Sequence, residues 1–224
     1  MDMSTSSKQK KKSEMMLKKG NMTLSSASLL ISLVVVTITE GGDLGIPRPI
    51  TKFTGKRDVV FILDSFITRL YIVGESATQF GLDVFSTTVT TEIKLNRYVE
   101  CAPCLRRRIR KAKYKGQATT TFFALDHARI NSFSESYGAR TGVPKIAIVM
   151  TDGKSQNKDK TCDSAEDLRT SGVTIIVVPI GNEVDKEEID CIASGPSFIL
   201  PVSSFAGLRD RGFRDRVAQR VSSV

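Results

Sequence analysis

The stretch Lys145-Ile-Ala-Ile-Val-Met-Thr-Asp-Gly153 decides the fold class of this chain. Its apolar run is rich in β-branched residues and does not alternate with polar ones, which is typical of a strand buried on both faces of a parallel sheet. A second run of this kind is Asp58-Val-Val-Phe-Ile-Leu-Asp64. Open α/β sheets bind ligands at the carboxyl ends of their strands. We therefore expect Asp64 and Asp152 to lie close together at one edge of a sheet.

Strand and helix patterns alternate along the rest of the chain. Strands are predicted over 58–64, 79–86, 90–95, 145–151 and 173–180, with an edge strand over 197–201. Helices are predicted over 98–113, 122–133, 163–171, 185–194 and 205–221. Strands separated by helices favour right-handed crossovers and parallel pairing. The predicted fold class is α/β, with a mostly parallel sheet covered by helices on both faces.

The N-terminal part of the chain has the composition of a targeting segment. Six lysines lie before residue 20, and an apolar stretch over 29–38 follows them. This stretch has the length of a signal-peptide hydrophobic region and is short for a spanning helix. We interpret 1–38 as a signal peptide or an uncleaved type II anchor, and the Gly- and Pro-rich 39–56 as a linker. A secreted protein is favoured, and a cytosolic chain is the remaining alternative.

Four segments in register resemble the von Willebrand factor A domain family. They are Asp58–Asp64 (DVVFILD), Tyr114–Thr121 (YKGQATTT), Val143–Gly153 (VPKIAIVMTDG) and Gly172–Asn182 (GVTIIVVPIGN). The resemblance covers 57–205, and 206–224 would follow it as a helix and basic tail. It implies a doubly wound, six-stranded fold. It also implies a domain that is not an enzyme and that binds matrix or cell-surface proteins through a divalent metal at the top of the sheet.

The resemblance further implies a set of metal ligands. Asp64 and Thr68 would come from the loop after the first strand. Thr119 would come from the Thr-x-Thr loop and Asp152 from the Thr-Asp-Gly strand end. Oxygen ligands of this kind suit Mg²⁺. The first loop departs from the family pattern, because Phe66 stands in place of a serine and offers no oxygen. We therefore expect a degenerate metal site.

The connection between the first two strands is unusually short. Residues 65–78 leave 14 residues for it, whereas the family has a long helix there. A parallel crossover needs about a dozen residues, so the connection can be made. One face of the sheet would then be under-covered. A covering partner or oligomer, an unstable domain, and a shortened isoform are the three alternatives.

The four cysteines favour an oxidising compartment, and four reduced thiols are the alternative. We predict a bridge between Cys162 and Cys191, whose helices are separated by one strand. Cys101 and Cys104 would pair with each other or with an outside thiol. Because they begin a basic helix, a setting that favours the thiolate, a thiol-disulfide oxidoreductase is the rival function. A strand leading directly into Cys101 would support that rival.

A candidate basic surface lies on the predicted helix over 98–113. It consists of Arg106, Arg107, Arg108, Arg110 and Lys111. Such a surface could bind acidic glycans or an acidic protein. Nucleic acid is not expected, because aromatic residues among these charges are limited to Tyr114. The single histidine, His127, leaves little room for a His-based triad or a multi-histidine metal site, and we expect it to be half-buried or on the surface.

The sequence therefore predicts a non-catalytic, extracellular adhesion or matrix-binding module. Its partners would be matrix or cell-surface proteins, with acidic glycans as a further candidate. It would contact a membrane only through an uncleaved anchor. A metal-independent structural matrix protein is a third reading, beside the redox enzyme.

Overall fold

The computed structural model describes residues 55–62, 73–112 and 119–224. Within these residues, five strands form one sheet in the order β3-β2-β1-β4-β5. The strands are β1 Arg57–Ile62, β2 Thr78–Phe85, β3 Val89–Ile93, β4 Lys145–Thr151 and β5 Val173–Pro179. β1 pairs in parallel with β2 and β4, β4 pairs in parallel with β5, and β3 is antiparallel to β2. The carboxyl ends of β1, β2, β4 and β5 therefore share one edge, which we call the top edge.

Five α-helices accompany these strands in the described part of the chain. They are α1 Ala102–Ile109, α2 Thr121–His127, α3 Lys158–Thr170, α4 Lys186–Ile192 and α5 Arg211–Ser222. α2 continues as a π-helical turn, Ala128–Ser132, and short 3₁₀ turns span Glu135–Tyr137, Pro196–Phe198 and Gly207–Arg209. Asn157, Asp185 and Asp210 cap α3, α4 and α5, each accepting a hydrogen bond from a first-turn N–H. None of the described helices has the length and apolar character needed to cross a bilayer.

The helices cover both faces of the sheet. On the first face, Leu105 and Ile109 of α1 and Phe213, Val217 and Val221 of α5 belong to one apolar core with alternate strand residues. On the second face, α2, α3 and α4 bury the other strand residues in a separate core. The structure thus confirms an α/β fold with a mostly parallel sheet between two helical layers.

The predicted sixth strand and several predicted boundaries are not confirmed. In place of an edge strand over 197–201, a 3₁₀ turn is followed by single bridges of Ile199 to Val177 and of Val202 to Ile180. The third helix begins at Lys158 instead of residue 163, because Asn157 caps it. The last helix begins at Arg211 instead of residue 205, after the Asp210 cap.

The first and second strands do pair in parallel, as a crossover requires. Residues 63–72 of their connection lie outside the described residues, so the short crossover remains a prediction. The predicted apolar targeting stretch, 29–38, also lies outside them.

One buried ion pair ties the lower edge of the sheet together. The carboxylate of Asp58 is fully buried at the start of β1. It accepts hydrogen bonds from the backbone N–H of Arg140 at 2.7 Å and from the Arg140 Nε at 2.8 Å. The same guanidinium donates to the carbonyls of Glu75 and Arg57, at 2.6 and 2.8 Å. Arg140 therefore joins β1, the chain before β2 and the chain before β4.

Candidate functional site

The end of β2 and the start of α2 meet at the top edge. Ser86 directly follows β2, and its carbonyl accepts hydrogen bonds from the backbone N–H of Thr120, at 3.2 Å, and from the Thr120 hydroxyl. Thr120 is buried. Its neighbour Thr119, the predicted ligand from the Thr-x-Thr loop, is therefore held at the carboxyl end of the sheet.

The loop after β4 lies against Thr119. The backbone N–H of Gln156 donates to the Thr119 carbonyl at 2.9 Å, and the N–H of Ile180 donates to the Thr151 carbonyl at 2.8 Å. The first bond joins the loop that carries Asp152 to the loop that carries Thr119. The second joins the end of β4 to the end of β5. The structure therefore brings two of the four predicted metal ligands into adjoining loops.

A buried glutamate that the sequence did not reveal fixes the loop of Asp152. Glu188 is 3% exposed, and its two carboxylate oxygens accept from the backbone N–H of Ser155 at 3.2 and 3.1 Å. With Asp185 as the N-cap of α4, Glu188 stands at the position of a capping-box glutamate, which would normally turn back to the cap. Here it reaches across to the neighbouring loop instead. The capping signal was visible in the sequence, but the partner in a loop about thirty residues earlier was not.

The oxygen donors at the top edge suit a hard divalent cation. The carboxylate of Asp152 is exposed, and the side chains of Asp152 and Thr119 make no hydrogen bond or ion pair to any residue that the structure describes. Nearby, Ser86 Oγ and Thr121 Oγ1 are buried without a hydrogen-bond partner in the described part. These free oxygens fit the preference of Mg²⁺ for oxygen ligands and retained water. The described residues hold no cluster of three His, Cys, Asp or Glu side chains that could bind a metal without hydroxyls.

The other half of the predicted metal site lies outside the described residues. Asp64, Thr68 and the interrupting Phe66 all follow the last described residue of β1, Ile62. The register places Ile62 opposite Val149, three residues before Asp152. The two strands therefore direct their following loops to the same edge, as expected, and the ligand set that includes Asp64 and Thr68 stays a prediction.

Two ion pairs link Lys158 to carboxylates at the rim of this edge. Lys158 lies 3.7 Å from Asp185 and forms a second pair with Glu187. The hydrogen bond from the Glu188 N–H, with the charge of Lys158, lowers the pKa of Asp185. The hydrogen bond to Glu187 raises the pKa of Lys158. These carboxylates are thus already paired, whereas Asp152 is not.

The single histidine belongs to a buried polar network on the second face. The hydroxyls of Thr91 and Ser132 donate to the Asp83 carboxylate at 2.7 and 2.6 Å. Because the one Thr91 proton points to Asp83, the 2.7 Å contact with His127 requires Nε2–H to donate to Thr91. His127 Nδ1 then accepts from Asn131 at 3.1 Å. His127 is half-buried, as predicted, and burial raises the pKa of Asp83.

The remaining predicted residues lie on or next to the helices α1, α3 and α4. The candidate basic surface is on α1, where Arg107, Arg110 and Lys111 are exposed and Arg108 pairs with Glu92.

The predicted bridge of Cys162 to Cys191 is confirmed and joins α3 to α4, and Cys101 pairs with Cys104. Turns over 95–100, and no strand, precede Cys101 in the described structure, which weakens the redox alternative.

Comparison with known proteins places this geometry in a family. The model of the von Willebrand factor type A domain matches residues 54–211. The chain is 34% identical over 161 residues to the collagen alpha-1(XXI) chain of Xenopus laevis, covering 64% of this chain and 16% of that one. It is 35% identical over 146 residues to matrilin-2 of Mus musculus, covering 64% of this chain and 14% of that one. This chain therefore spans less than a fifth of either relative.

Solved structures show the same fold. Proximal thread matrix protein 1 from the mussel byssus aligns with a TM-score of 0.71 at 24% identity, over 76% of this chain and 49% of that one. A structure of the same mussel protein with a zinc-occupied MIDAS motif aligns with a TM-score of 0.64 at 27% identity, over 75% and 49% of the two chains. The family match covers most of the chain, and the mixed sheet flanked by helices agrees with it. The chain therefore belongs to the von Willebrand factor type A domain family.

Proposed function

We propose that this domain is a non-catalytic module that binds an extracellular matrix protein through the top edge of its sheet, with a divalent cation between domain and partner. The unpaired carboxylate of Asp152, in a loop that a backbone hydrogen bond joins to the loop of Thr119, carries the proposal. A cation there would supply an electrophilic centre that accepts a carboxylate of the partner. Residues 1–38 would direct the protein to the secretory pathway, as a cleaved signal or an anchor.

The relatives support a matrix role. They are named as collagen chains and matrilins, and one structural neighbour is a byssal thread matrix protein. The neighbour with zinc in its MIDAS motif supports retention of a metal by a protein of this fold. Two disulfides in the described part are consistent with an oxidising compartment.

In this proposal, Asp152 and Thr119 hold the cation together with Asp64 and Thr68. Glu188 would position the Asp152 loop through the backbone N–H of Ser155. Phe66 removes one hydroxyl, so a water would complete the coordination, and we expect weaker binding than an intact serine loop would give. Mg²⁺ is the proposed physiological ion.

The test is a solid-phase binding assay of the full chain on fibrillar collagen, fibronectin and laminin, with Mg²⁺ or with EDTA. Asp152→Ala is compared with Asp190→Ala, which removes an exposed carboxylate one turn into α4. We expect at least one coat to bind the wild type and Asp190→Ala in Mg²⁺, with a loss of about tenfold or more in EDTA and in Asp152→Ala.

Binding that survives both EDTA and Asp152→Ala would contradict the metal-bridged mechanism. It would favour the second candidate, a structural matrix protein that uses this fold without a metal. The observation behind that candidate is Phe66 at a ligand position. Turnover of a thiol substrate by the Cys101–Cys104 pair would contradict the non-catalytic assignment.

A further inference from the structure

The fold places two basic segments, about a hundred residues apart in sequence, on the same face of the sheet. The first is the α1 segment, with Arg106, Arg107, Arg108, Arg110 and Lys111 and no acidic residue over 102–111. The second is the α5 segment, with Arg209, Arg211, Arg214, Arg216 and Arg220 and two aspartates over 209–220. Leucine and isoleucine from α1 and phenylalanine and valine from α5 share one apolar core. We call the outer surface of these two segments the basic face.

The opposite helical layer carries the opposite charge. α3 has four acidic and three basic residues over 158–170, and α4 has three acidic residues and one basic residue over 186–192. One helical layer is therefore net positive and the other net negative. The sequence of either basic segment alone does not show this asymmetry. A five-stranded sheet is about 20 Å wide, from a spacing of about 4.8 Å between strands. Both basic segments are thus within reach of one extended ligand.

The chemistry of the basic face indicates a polyanion rather than a folded protein. Nine of its ten cations are arginine, whose planar fork matches sulfate and carboxylate groups with two hydrogen bonds. The large apolar side chains that are most exposed, Phe123 and Ile130, lie on α2 and its π-helical turn, which belong to the second face. Protein-binding hot spots are enriched in Trp and Tyr as well as in Arg, and the two basic segments, 102–111 and 209–220, contain neither Trp nor Tyr.

We propose that the basic face binds a sulfated glycosaminoglycan, with α1 and α5 contacting one chain together. Stacking aromatics are absent from its exposed side in the described residues: Phe213 of α5 is 1% exposed. Single-stranded nucleic acids are bound by such stacking, so a sulfated glycan is the better match. The site is independent of the top edge and requires no metal.

The experiment measures the affinity of the full chain for immobilised heparin in EDTA, over a range of salt concentrations. One variant carries Arg107→Glu and Arg110→Glu on α1, and a second carries Arg211→Glu and Arg216→Glu on α5; all four arginines are exposed. The control carries Lys160→Glu and Lys186→Glu on the opposite layer, with the same change in net charge. The N-terminal lysines are unchanged in every variant, and thermal melting verifies folding.

We expect each arginine pair to weaken heparin binding about tenfold and to reduce the slope of log affinity against log salt by about two, one for each lost charge contact. The control should stay within about twofold of the wild type. The proposal is overturned by absence of heparin binding, by an α5 variant that binds like the wild type, or by a control that loses as much affinity. Tighter binding of a single-stranded oligonucleotide than of heparin of equal charge would also overturn it. Because EDTA is present throughout, this outcome is separate from the fate of the metal-bridged mechanism.

Discussion

Replacing Arg140 with methionine should destabilise the domain strongly. Methionine keeps the apolar stem but removes every side-chain donor, so the fully buried Asp58 would retain only the backbone N–H of Arg140, at 2.7 Å. The carbonyls of Arg57 and Glu75 would also lose the hydrogen bonds that the Arg140 guanidinium donates. Breaking a buried ion pair from one side costs about 3–5 kcal/mol. For a domain of this size, that loss lowers the melting temperature by roughly 6–20 °C.

Urea denaturation followed by far-UV circular dichroism measures this loss. Arg110→Met is the matched control, because Arg110 is an exposed arginine on α1, and we expect it to change stability by less than about 0.5 kcal/mol. Arg140→Lys should be intermediate, because an ammonium cannot span all three acceptors. Adding Asp58→Asn to Arg140→Met should recover part of the loss, since the uncompensated charge disappears. A cost below about 1 kcal/mol for Arg140→Met would refute the reasoning.

Three further predictions concern other parts of the domain. Burial raises the pKa of Asp83 above 3.8, so the folded state favours the protonated carboxyl more than the unfolded state does. The resulting stabilisation is complete below pH 3.8 and is lost as the pH rises through the folded-state pKa. Urea midpoints should therefore fall with rising pH more steeply in the wild type than in Asp83→Asn, and equal slopes would count against this. Gly138→Ala should cost more than about 2 kcal/mol, because φ is +91° and the new Cβ would lie 2.6 Å from Asn96 Cβ. Gly142→Ala, with φ of +70° and open space, should cost only about 1 kcal/mol, and equal costs would contradict the steric argument. Replacing Cys162 and Cys191 with serine should remove about 3.6 kcal/mol by opening a loop of sequence separation 29, measurably more than the same change at Cys101 and Cys104, where the separation is 3.

The buried parallel strands could be predicted well from the sequence. The bounds of β4, 145–151, agree with the predicted ones, because an unbroken apolar run of this length has few alternatives to a central strand. The pairing of Cys162 with Cys191 also followed from the order of helices and strands. Helix starts were less certain, because the caps Asn157 and Asp210 outweigh the apolar periodicity that sequence reasoning used.

Long-range polar contacts could not be predicted. Asp58 is the first residue of the strand predicted from the sequence. Its partner Arg140, however, lies 82 residues later in a stretch without a periodic pattern. Asp83 and Ser132 are separated by 49 residues and meet only because α2 packs over β2. The glutamate that holds the Asp152 loop was hidden for the same reason. Local patterns predict elements, whereas such pairs depend on how the elements pack.

The family pattern and the strand ends together suggested the candidate site, and its ligand set stays a prediction because Asp64 and Thr68 lie outside the described residues. The sequence placed Asp152 at a strand end and Thr119 in a neighbouring loop, and the 2.9 Å bond from Gln156 to the Thr119 carbonyl joins those loops. From the sequence, the basic tail within 206–224 and the candidate basic surface near residue 107 were separate features. The shared face of α1 and α5 appears only once the fold is known.

The most direct test of the central claim is the melting temperature of the full chain in Mg²⁺ or Mn²⁺ against EDTA, with Asp152→Ala beside it. A ligand at about one hundred times its dissociation constant stabilises a protein by about 2.7 kcal/mol. We therefore predict that a saturating cation raises the melting temperature of the wild type by roughly 5–11 °C and leaves Asp152→Ala unchanged. A folded wild type whose melting temperature is the same in cation and in EDTA would contradict the metal-dependent top edge.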